Sequence, residues 1–257
     1  MNRIPRTLAS ALSAILLLAG CSTDHVRSPG ANSLLAPSEV GSAAASMALA
    51  APAFPTSAGG WVSGLSNPYL AFRAGSVFNY RAVTPEGTET TLIEVTNDTK
   101  TIQGVVTTVV HDRVSLNGSL IEDTFDWYAQ DTDGNVWYFG EDSKQIQNGV
   151  VIGTVGSWEA GVNGAVAGIV MLADPKVGVK YQQEFAAGVA EDMARVQSLN
   201  RAVQVPAGSF DDCVQTIEWS PLDKGARETK FYKSGVGQVL TLEDKGNIRD
   251  ELVSVQP

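Results

Sequence analysis

The chain of 257 residues carries 28 acidic and 18 basic residues, which gives a net charge of −10. This acidic balance argues against nucleic acid or an anionic lipid surface as the binding partner. The chain has two histidines, His25 and His111, and two cysteines, Cys21 and Cys213, with no HExxH or CxxC motif. A histidine-rich zinc site is therefore excluded.

The first twenty residues predict a secretory signal peptide. Arg3 and Arg6 form a short basic start, and residues 8–19 are almost wholly apolar. A run of about a dozen apolar residues is too short to span a bilayer stably, because roughly 20 are needed. Its length and its basic start fit the apolar region of a signal that is removed after export.

The signal ends in a motif that predicts a membrane anchor. Residues 18–21, LAGC, resemble the lipobox of bacterial lipoproteins, in which cleavage frees the cysteine amine and the cysteine carries acyl chains. One acyl chain gives marginal attachment to a lipid bilayer, whereas two or more suffice. The resemblance implies an exported protein anchored to the cell envelope through Cys21. Ser22, in place of Asp, resembles the pattern for sorting to the outer membrane. The alternative is an unmodified cysteine after an ordinary signal.

Residues 21–60 predict a lipidated, flexible tether. Residues 42–60 are mostly Ala, Ser, Pro and Gly and carry no charge. Such a segment buries too little apolar surface to offset the entropy lost on ordering it, so it is predicted to be disordered. The remaining residues, 61–257, have the length of a single domain with a sizeable core. Within them, Cys213 is predicted to be a small buried hydrophobic side chain.

From Ser76 onward the sequence predicts short β-strands. Several segments are rich in Val, Ile, Thr, Tyr, Phe and Trp, and within each segment apolar and polar residues alternate with a period of two. Asn117-Gly118 and Asp133-Gly134 separate such segments, which is a strong hairpin signal. Residues 189–199 also allow a helical stripe, but the neighbouring turns favour a strand. No helices alternate with the strands, so the prediction is an all-β antiparallel meander that forms a curved sheet, half-barrel, barrel or sandwich.

Three segments resemble a known family. They are DPKVGVKYQQE at 174–184, VPAGSFDDC at 205–213 and YKSGVGQVLTLE at 232–243. These turn and strand signatures resemble the TapB-like family of secreted bacterial proteins of unknown function, over roughly residues 67–255. The resemblance implies a curved antiparallel sheet, related to the LolA-like half-barrels, that encloses an apolar groove. It implies no catalytic residue.

The hairpin around residue 117 predicts an unusual acidic cluster. A two-residue turn places Asp112 directly opposite Asp123 on the inward, otherwise apolar face, and the next hairpin adds Asp142 and Lys144 to that face. Two carboxylates about 5 Å apart repel by roughly 3 kcal/mol at an effective dielectric constant near 20. Lys144 at the rim of a barrel, open water, a shared proton, or a hard cation such as Ca²⁺ bound by Asp112, Asp123 and Asp142 would relieve the repulsion.

Aromatic side chains supply candidate ligand-binding residues. The same alternation places Trp127 and Tyr138 on the inner face and Trp137 on the outer face. Such large amphipathic rings suit a sugar or an apolar ligand. The alternative is ordinary packing, in the core for the first two and under another strand for Trp137.

Two functional hypotheses remain. The favoured one is a non-catalytic, membrane-anchored envelope lipoprotein that binds an apolar molecule, a glycan or an envelope partner on its curved sheet. The alternative is a hydrolase that uses the Asp cluster, either with a metal or as acid and base. The serine-hydrolase, SxxK and nucleotide-binding motifs are absent, so no cofactor is expected apart from Ca²⁺ under the alternative.

Overall fold

A computed structural model describes residues 52–55, 58–245 and 247–257 of the chain. The predicted signal peptide, Cys21 and most of the predicted tether lie outside these residues. Within the described ranges the regular structure is β-strand, apart from a single turn of 3₁₀-helix at Ala58–Gly60. None of the described segments is a helix of the length and hydropathy needed to cross a bilayer. The all-β prediction is therefore confirmed.

Sixteen strands make up the described fold. In chain order they are β1 Trp61–Val62, β2 Val77–Thr84, β3 Gly87–Ile102, β4 Val105–Leu116, β5 Ser119–Asp131, β6 Val136–Gln147, β7 Val150–Gly153, β8 Trp158–Glu159, β9 Val166–Met171, β10 Lys180–Gln182, β11 Glu184–Phe185, β12 Met193–Val205, β13 Gly208–Trp219, β14 Glu228–Lys233, β15 Gly237–Glu243 and β16 Ile248–Gln256.

The strands form one antiparallel sheet that is nearly closed into a barrel. Its order is β10-β12-β13-β14-β15-β16-β2-β3-β4-β5-β6-β9-β11, and the short strands β1, β7 and β8 pair beside β5 or β6. Two meanders, β12 to β16 and β2 to β6, are therefore joined side by side through the pairing of β16 with β2. The predicted strand around residues 189–199 is present as the first part of β12.

The two ends of this strand order belong to one short piece of chain, residues 180–185. Its first half, β10, pairs with β12, and its second half, β11, pairs with β9. Between the halves, the backbone N–H of Gln183 donates a 2.8 Å hydrogen bond to the carbonyl of Asp192. This segment, which we call the closing segment, therefore bridges the two edges of the sheet.

Gly168 permits the close approach of the closing segment. It lies on β9, opposite Tyr138 of β6, and a Cβ at this position would lie 2.6 Å from the carbonyl oxygen of Gln182 and overlap the backbone of Gln183. Because backbone cannot move aside as a flexible side chain can, Gly168→Ala is expected to lower the free energy of unfolding by about 1–3 kcal/mol. Urea unfolding followed by tryptophan fluorescence measures this loss.

Gly59→Ala is the matched control for this substitution, because a Cβ at residue 59 meets nothing within 4 Å. It is expected to leave the urea midpoint unchanged. Equal midpoints for the two variants would show that the closing segment does not depend on the glycine.

A β-bulge changes the predicted alternation in the first hairpin. The two-residue turn itself is confirmed, since Asn117 and Gly118 have φ of 51° and 81°. Farther along, however, Val114 pairs with Glu122, so Ile121 is an extra residue in β5. One extra residue moves every later side chain of the strand to the opposite face.

The predicted pairing of Asp112 with Asp123 is therefore wrong. Asp112 lies opposite Thr124, and Asp123 lies opposite Arg113. In the next hairpin, the predicted pairing of Asp123 with Lys144 is confirmed. The predicted acidic row is thus divided between the two faces of the sheet.

The same bulge reverses the predicted faces of β5. Glu122, Thr124, Asp126 and Tyr128 are the alternate residues that are buried inside the barrel. The face of β5 that alternation assigned to solvent is therefore the face that lines the interior.

A second bulge, in β6, separates the predicted register from a different register close to the Asp133-Gly134 turn. Tyr128 pairs with Tyr138, although alternation predicted Ala129 at that position, and Asp126 pairs with Glu141. Phe139 and Gly140 of β6 together oppose Trp127, so β6 has one extra residue here, and the φ of Gly140 is 124°. A Cβ there would overlap the backbone of Trp158 on β8, so glycine is needed at this bulge. Tyr128 and Tyr138 consequently share the interior.

Candidate functional site

The interior of the barrel is strongly acidic. Lys230 is the only buried Lys or Arg among the described residues. Ionised carboxyl groups are costly in such a place unless they are paired, hydrogen-bonded or protonated. The buried carboxyl groups that line the inner face are those of Glu89, Asp112, Glu122, Asp126, Glu141, Glu184, Glu218, Glu228 and Asp250.

Burial raises the pKa of several of these groups. Burial raises the pKa of Asp126 and of Glu122 to about 7. The hydrogen bond that Tyr138 donates to Asp126 lowers the pKa of Asp126, and the one that Thr124 donates to Glu122 lowers the pKa of Glu122, but burial outweighs both. Burial and then the charge of Glu228 raise the pKa of Asp250 to about 7. These interior carboxyl groups therefore change protonation near neutral pH, not near pH 4 where exposed ones do.

Five side chains form a compact group on one side of the interior, which we call the Asp126 cluster: Asp126, Tyr128, Tyr138, Trp158 and Glu184. Tyr138 Oη donates to Asp126 Oδ1 at 2.6 Å, and Trp158 Nε1 donates to Glu184 Oε2 at 3.0 Å. Tyr128 and Tyr138 stack with ring centroids 4.9 Å apart, and Trp158 meets Tyr138 edge-on at 5.5 Å. Glu184 belongs to the closing segment, so barrel closure completes this cluster.

Two polar atoms of the Asp126 cluster have no hydrogen-bond partner among the described residues. They are Tyr128 Oη and Asp126 Oδ2, and both side chains are 0% exposed. A buried polar atom left without a partner costs about 1–3 kcal/mol. Most buried polar atoms in native proteins have a hydrogen-bond partner, and a bound water, ion or ligand is the usual explanation for one that has none in the protein.

A second interior group, the Lys230 cluster, is fully partnered. Lys230 Nζ lies 2.9 Å from Glu218 Oε2 and 3.2 Å from Glu228 Oε2. The other oxygen of Glu218 accepts hydrogen bonds from Thr216 at 2.7 Å and Tyr232 at 3.1 Å. These contacts hold the buried lysine between two carboxyl groups, so we assign the Lys230 cluster a structural role.

The predicted metal ligands are not brought together. Asp112 is buried in the interior, whereas Asp123 lies on the outer face with its Oδ1 2.6 Å from His111 Nε2. Asp142 pairs with Lys144 at 3.0 Å. Within the described ranges, no three His, Cys, Asp or Glu side chains are arranged to hold a metal ion. Calcium binding stays a prediction, but these three carboxylates do not share a site.

Asp123→Asn tests the role of the outer carboxylate. Its ion pair with His111 is partly exposed, with side-chain exposures of 26% and 20%, so we expect a loss of less than about 1 kcal/mol of unfolding free energy. Urea unfolding measures the loss, with Asp142→Asn as the control on the same face. A loss above about 2 kcal/mol would exceed the ion-pair contribution and would indicate a bound cation.

Of the predicted ligand-binding aromatic residues, only Tyr138 lies in the Asp126 cluster. Trp127 faces outward, contrary to the prediction, and Lys100 Nζ lies 3.2 Å from the centroid of its ring. Lys100 is in turn paired with Glu159 at 2.7 Å. Trp127 is therefore held by a local outer contact.

Trp137 is covered by a residue that precedes β1 and by a residue of β1 itself. Phe54 and Trp61 pack on it with ring centroids 5.2 and 6.2 Å away, and its Nε1 donates to Asp131 Oδ2 at 2.8 Å. The alternative interpretation of Trp137, packing under another segment, is thus what the structure shows. Phe54 falls within the predicted tether, so the packed part of the chain begins before Trp61.

A groove of about 500 Å³ lies on the outer face of β2 to β4. Arg81, Leu92 and Arg113 line it together with Leu120 and Val253. Arg113 is already paired with Glu94 at 2.9 Å. The five side chains named here are half-exposed or exposed, unlike the buried side chains of the Asp126 cluster.

Comparison with known proteins gives structural likeness only. No protein-family model matches the chain, and no curated protein matches it. A "putative exported protein with YmcC-like fold" from Bacteroides fragilis is 13% identical, with a TM-score of 0.43, over 75% of this chain and 100% of that one. A "putative lipoprotein" from Parabacteroides distasonis is 12% identical, with a TM-score of 0.39, over 74% of this chain and 99% of that one. The TapB-like resemblance stays a prediction.

Proposed function

We propose that this protein is an exported lipoprotein of the cell envelope that binds a small polar ligand inside its β-barrel and catalyses no reaction. The predicted signal peptide and the LAGC motif at 18–21 support the anchor, and Ser22 supports the outer membrane as its location. The ligand is proposed to be polar, not apolar, because acidic side chains line the interior.

The observation that carries the binding proposal is the unmet hydrogen-bonding capacity of Tyr128 Oη and Asp126 Oδ2. An apolar ligand would leave both atoms without a partner, whereas a polar ligand would satisfy them. The adjoining aromatic rings of Tyr138 and Trp158 offer flat surfaces for the non-polar part of such a ligand. Ligand sites commonly combine aromatic walls with a few placed polar groups.

The hydrolase alternative receives no support from the geometry. It depended on the convergence of Asp112, Asp123 and Asp142, and the bulge in β5 separates them. Interior carboxyl groups with raised pKa values are also found in catalytic sites. Here, however, Asp126 and Glu184 are each held by an aromatic donor, which suits a fixed recognition site.

The anchor is tested by Cys21→Ala in the full-length protein expressed in a bacterial host. We expect the substitution to abolish labelling by a radioactive fatty acid and to move the protein from the membrane fraction to the soluble fraction. Cys213→Ala is the control and is expected to keep both the label and the membrane location. Acyl label on the Cys21→Ala protein would refute the anchor.

Binding is tested on the mature protein, first by native mass spectrometry for a co-purified small molecule. Thermal unfolding in the presence of neutral sugars, amines and a fatty acid then compares ligand classes. An interior polar site is supported if one of the polar compounds raises the Tm, if Tyr128→Phe abolishes that rise, and if Trp127→Phe preserves it. A rise with the fatty acid alone, or no rise with any compound, would contradict it.

A further inference from the structure

We infer that the Asp126 cluster is a binding site for an organic cation, an amine whose ammonium group contacts Asp126, Tyr128 and Glu184. This inference rests on the proposed function and specifies the class of the ligand. The acidic interior of the barrel and the unpartnered polar atoms of two fully buried side chains support it together.

The charge of the cluster calls for a cation. Lys230, the single buried cation of the described residues, is already bound by Glu218 and Glu228. In the same described part of the chain, no Lys, Arg or His forms an ion pair with Asp126 or Glu184, which accept hydrogen bonds from Tyr138 and Trp158. Burial and the charge of Asp192 raise the pKa of Glu184, and the charge of Lys230 offsets this only in part. A bound cation would stabilise both carboxylates at once.

The number of acceptors matches an ammonium group. Tyr138 occupies one oxygen of Asp126, and the other oxygen, Oδ2, is buried and unpartnered. Tyr128 Oη is the second unpartnered atom, and the Glu184 carboxylate is the second charged acceptor. An ammonium group has three N–H donors and no acceptor, so the number of its donors equals the number of these groups.

The walls of the cluster suit the carbon chain of an amine. Tyr128 and Tyr138 stack, and Trp158 stands edge-on to Tyr138, so three aromatic rings adjoin the two carboxylates. Aromatic rings attract an ammonium group and pack against its methylenes. Neutral hydroxyl groups would satisfy the same acceptors but would leave the carboxylates to repel each other. A calcium ion wants six to eight oxygen ligands, more than these side chains supply.

The decisive probes are n-butylamine and 1-butanol, which have nearly the same shape and differ in charge. At pH 8, where the carboxyl groups are most ionised, n-butylammonium is expected to raise the Tm of the mature protein in a saturable manner. 1-Butanol, and sodium chloride at matched ionic strength, are expected not to do so. A calcium titration is run alongside.

Two substitutions locate the site. Asp126→Asn and Tyr128→Phe are each expected to weaken n-butylammonium binding by tenfold or more in calorimetric titration. Asp123→Asn is the matched control, because it removes the same charge from the outer face, and it is expected to preserve the affinity. Tyr128→Phe removes only a hydroxyl, so it keeps the test available if Asp126→Asn folds poorly.

The outcomes separate this inference from the proposed function. If neutral sugars bind in a Tyr128-dependent manner and amines do not, the amine inference is wrong and the proposed function stands. Amine binding that neither substitution weakens would overturn the site. A calcium-dependent rise in Tm that Asp126→Asn abolishes would replace the amine with a metal. If no polar compound binds, the inference and the proposed function fail together.

Discussion

The free energy of unfolding is expected to fall, by on the order of several kcal/mol, as the pH rises from about 5 to about 8. The groups responsible are the interior carboxyls. Burial is the largest cause of their raised pKa values, which reach about 7 for Asp126 and Asp250. Burial and the charges of neighbouring acidic groups raise the pKa of Glu243 further, to about 8.

The direction follows from proton binding in the two states. In the unfolded chain a carboxyl group has a pKa near 4, so it is ionised by about pH 5. In the folded protein the interior groups still hold their protons there. The folded state thus binds more protons between about pH 4 and pH 8, and stability must decrease with rising pH across that window. Below this pH window the carboxyl groups are protonated in both the folded and the unfolded state, and above it they are ionised in both. The free energy of unfolding therefore stops changing with pH outside the window.

Urea unfolding at a series of pH values measures this slope. Asp250→Asn is expected to reduce this slope, because it removes one carboxyl group whose pKa is raised. At pH 8 the variant should be more stable than wild type, by about 1.4 kcal/mol for each unit by which the pKa of Asp250 is raised. Asp133→Asn, in an exposed turn, is the control and should leave the slope unchanged. A stability that is constant or increases from pH 5 to pH 8 would show that the interior carboxyls are ionised and stabilised in the folded state.

The sheet could be predicted from the sequence because its signals are local. Alternation favours strands over residues 76–257, and Asn-Gly turns bring neighbouring strands together. Asn117 and Gly118 adopt the positive φ values that such a turn requires. Closure of the barrel could not be predicted in this way. It depends on residues 180–185 pairing with β9 on one side and β12 on the other, and no turn signal encodes those contacts.

One residue explains why alternation places Asp126 and Tyr128 on the wrong face. Ile121 is the extra residue of a β-bulge, and nothing in its chemistry distinguishes it from an ordinary strand residue. Glu122 and Asp126 share one face of β5 by alternation, but alternation predicts that this face meets water. Gly140 was the available signal for the second bulge, because a glycine inside a strand often marks one. An interior lined with acidic groups also breaks the usual rule that the polar face of a strand is exposed.

Lys230→Met is expected to destabilise the protein by about 3–5 kcal/mol at pH 8, because it leaves Glu218 and Glu228 buried without their cation. Burial alone would lower the pKa of Lys230, but the charges of the two glutamates outweigh it and raise that pKa. The lysine is therefore charged from pH 5 to pH 8. Urea unfolding measures the loss. At pH 5 the loss should be smaller, since burial raises the pKa of Glu228 and this group can take up a proton.

Two further variants separate the buried charge from ordinary packing. Lys176→Met removes a lysine from an exposed pair with Asp174, whose side-chain exposures are 56% and 78%, and should cost less than about 0.5 kcal/mol. Adding Glu218→Gln and Glu228→Gln to Lys230→Met should restore much of the lost stability, because no ionised group of the Lys230 cluster is then unpaired. If the triple variant is no more stable than Lys230→Met, the lysine stabilises the barrel by filling space, and its charge contributes little.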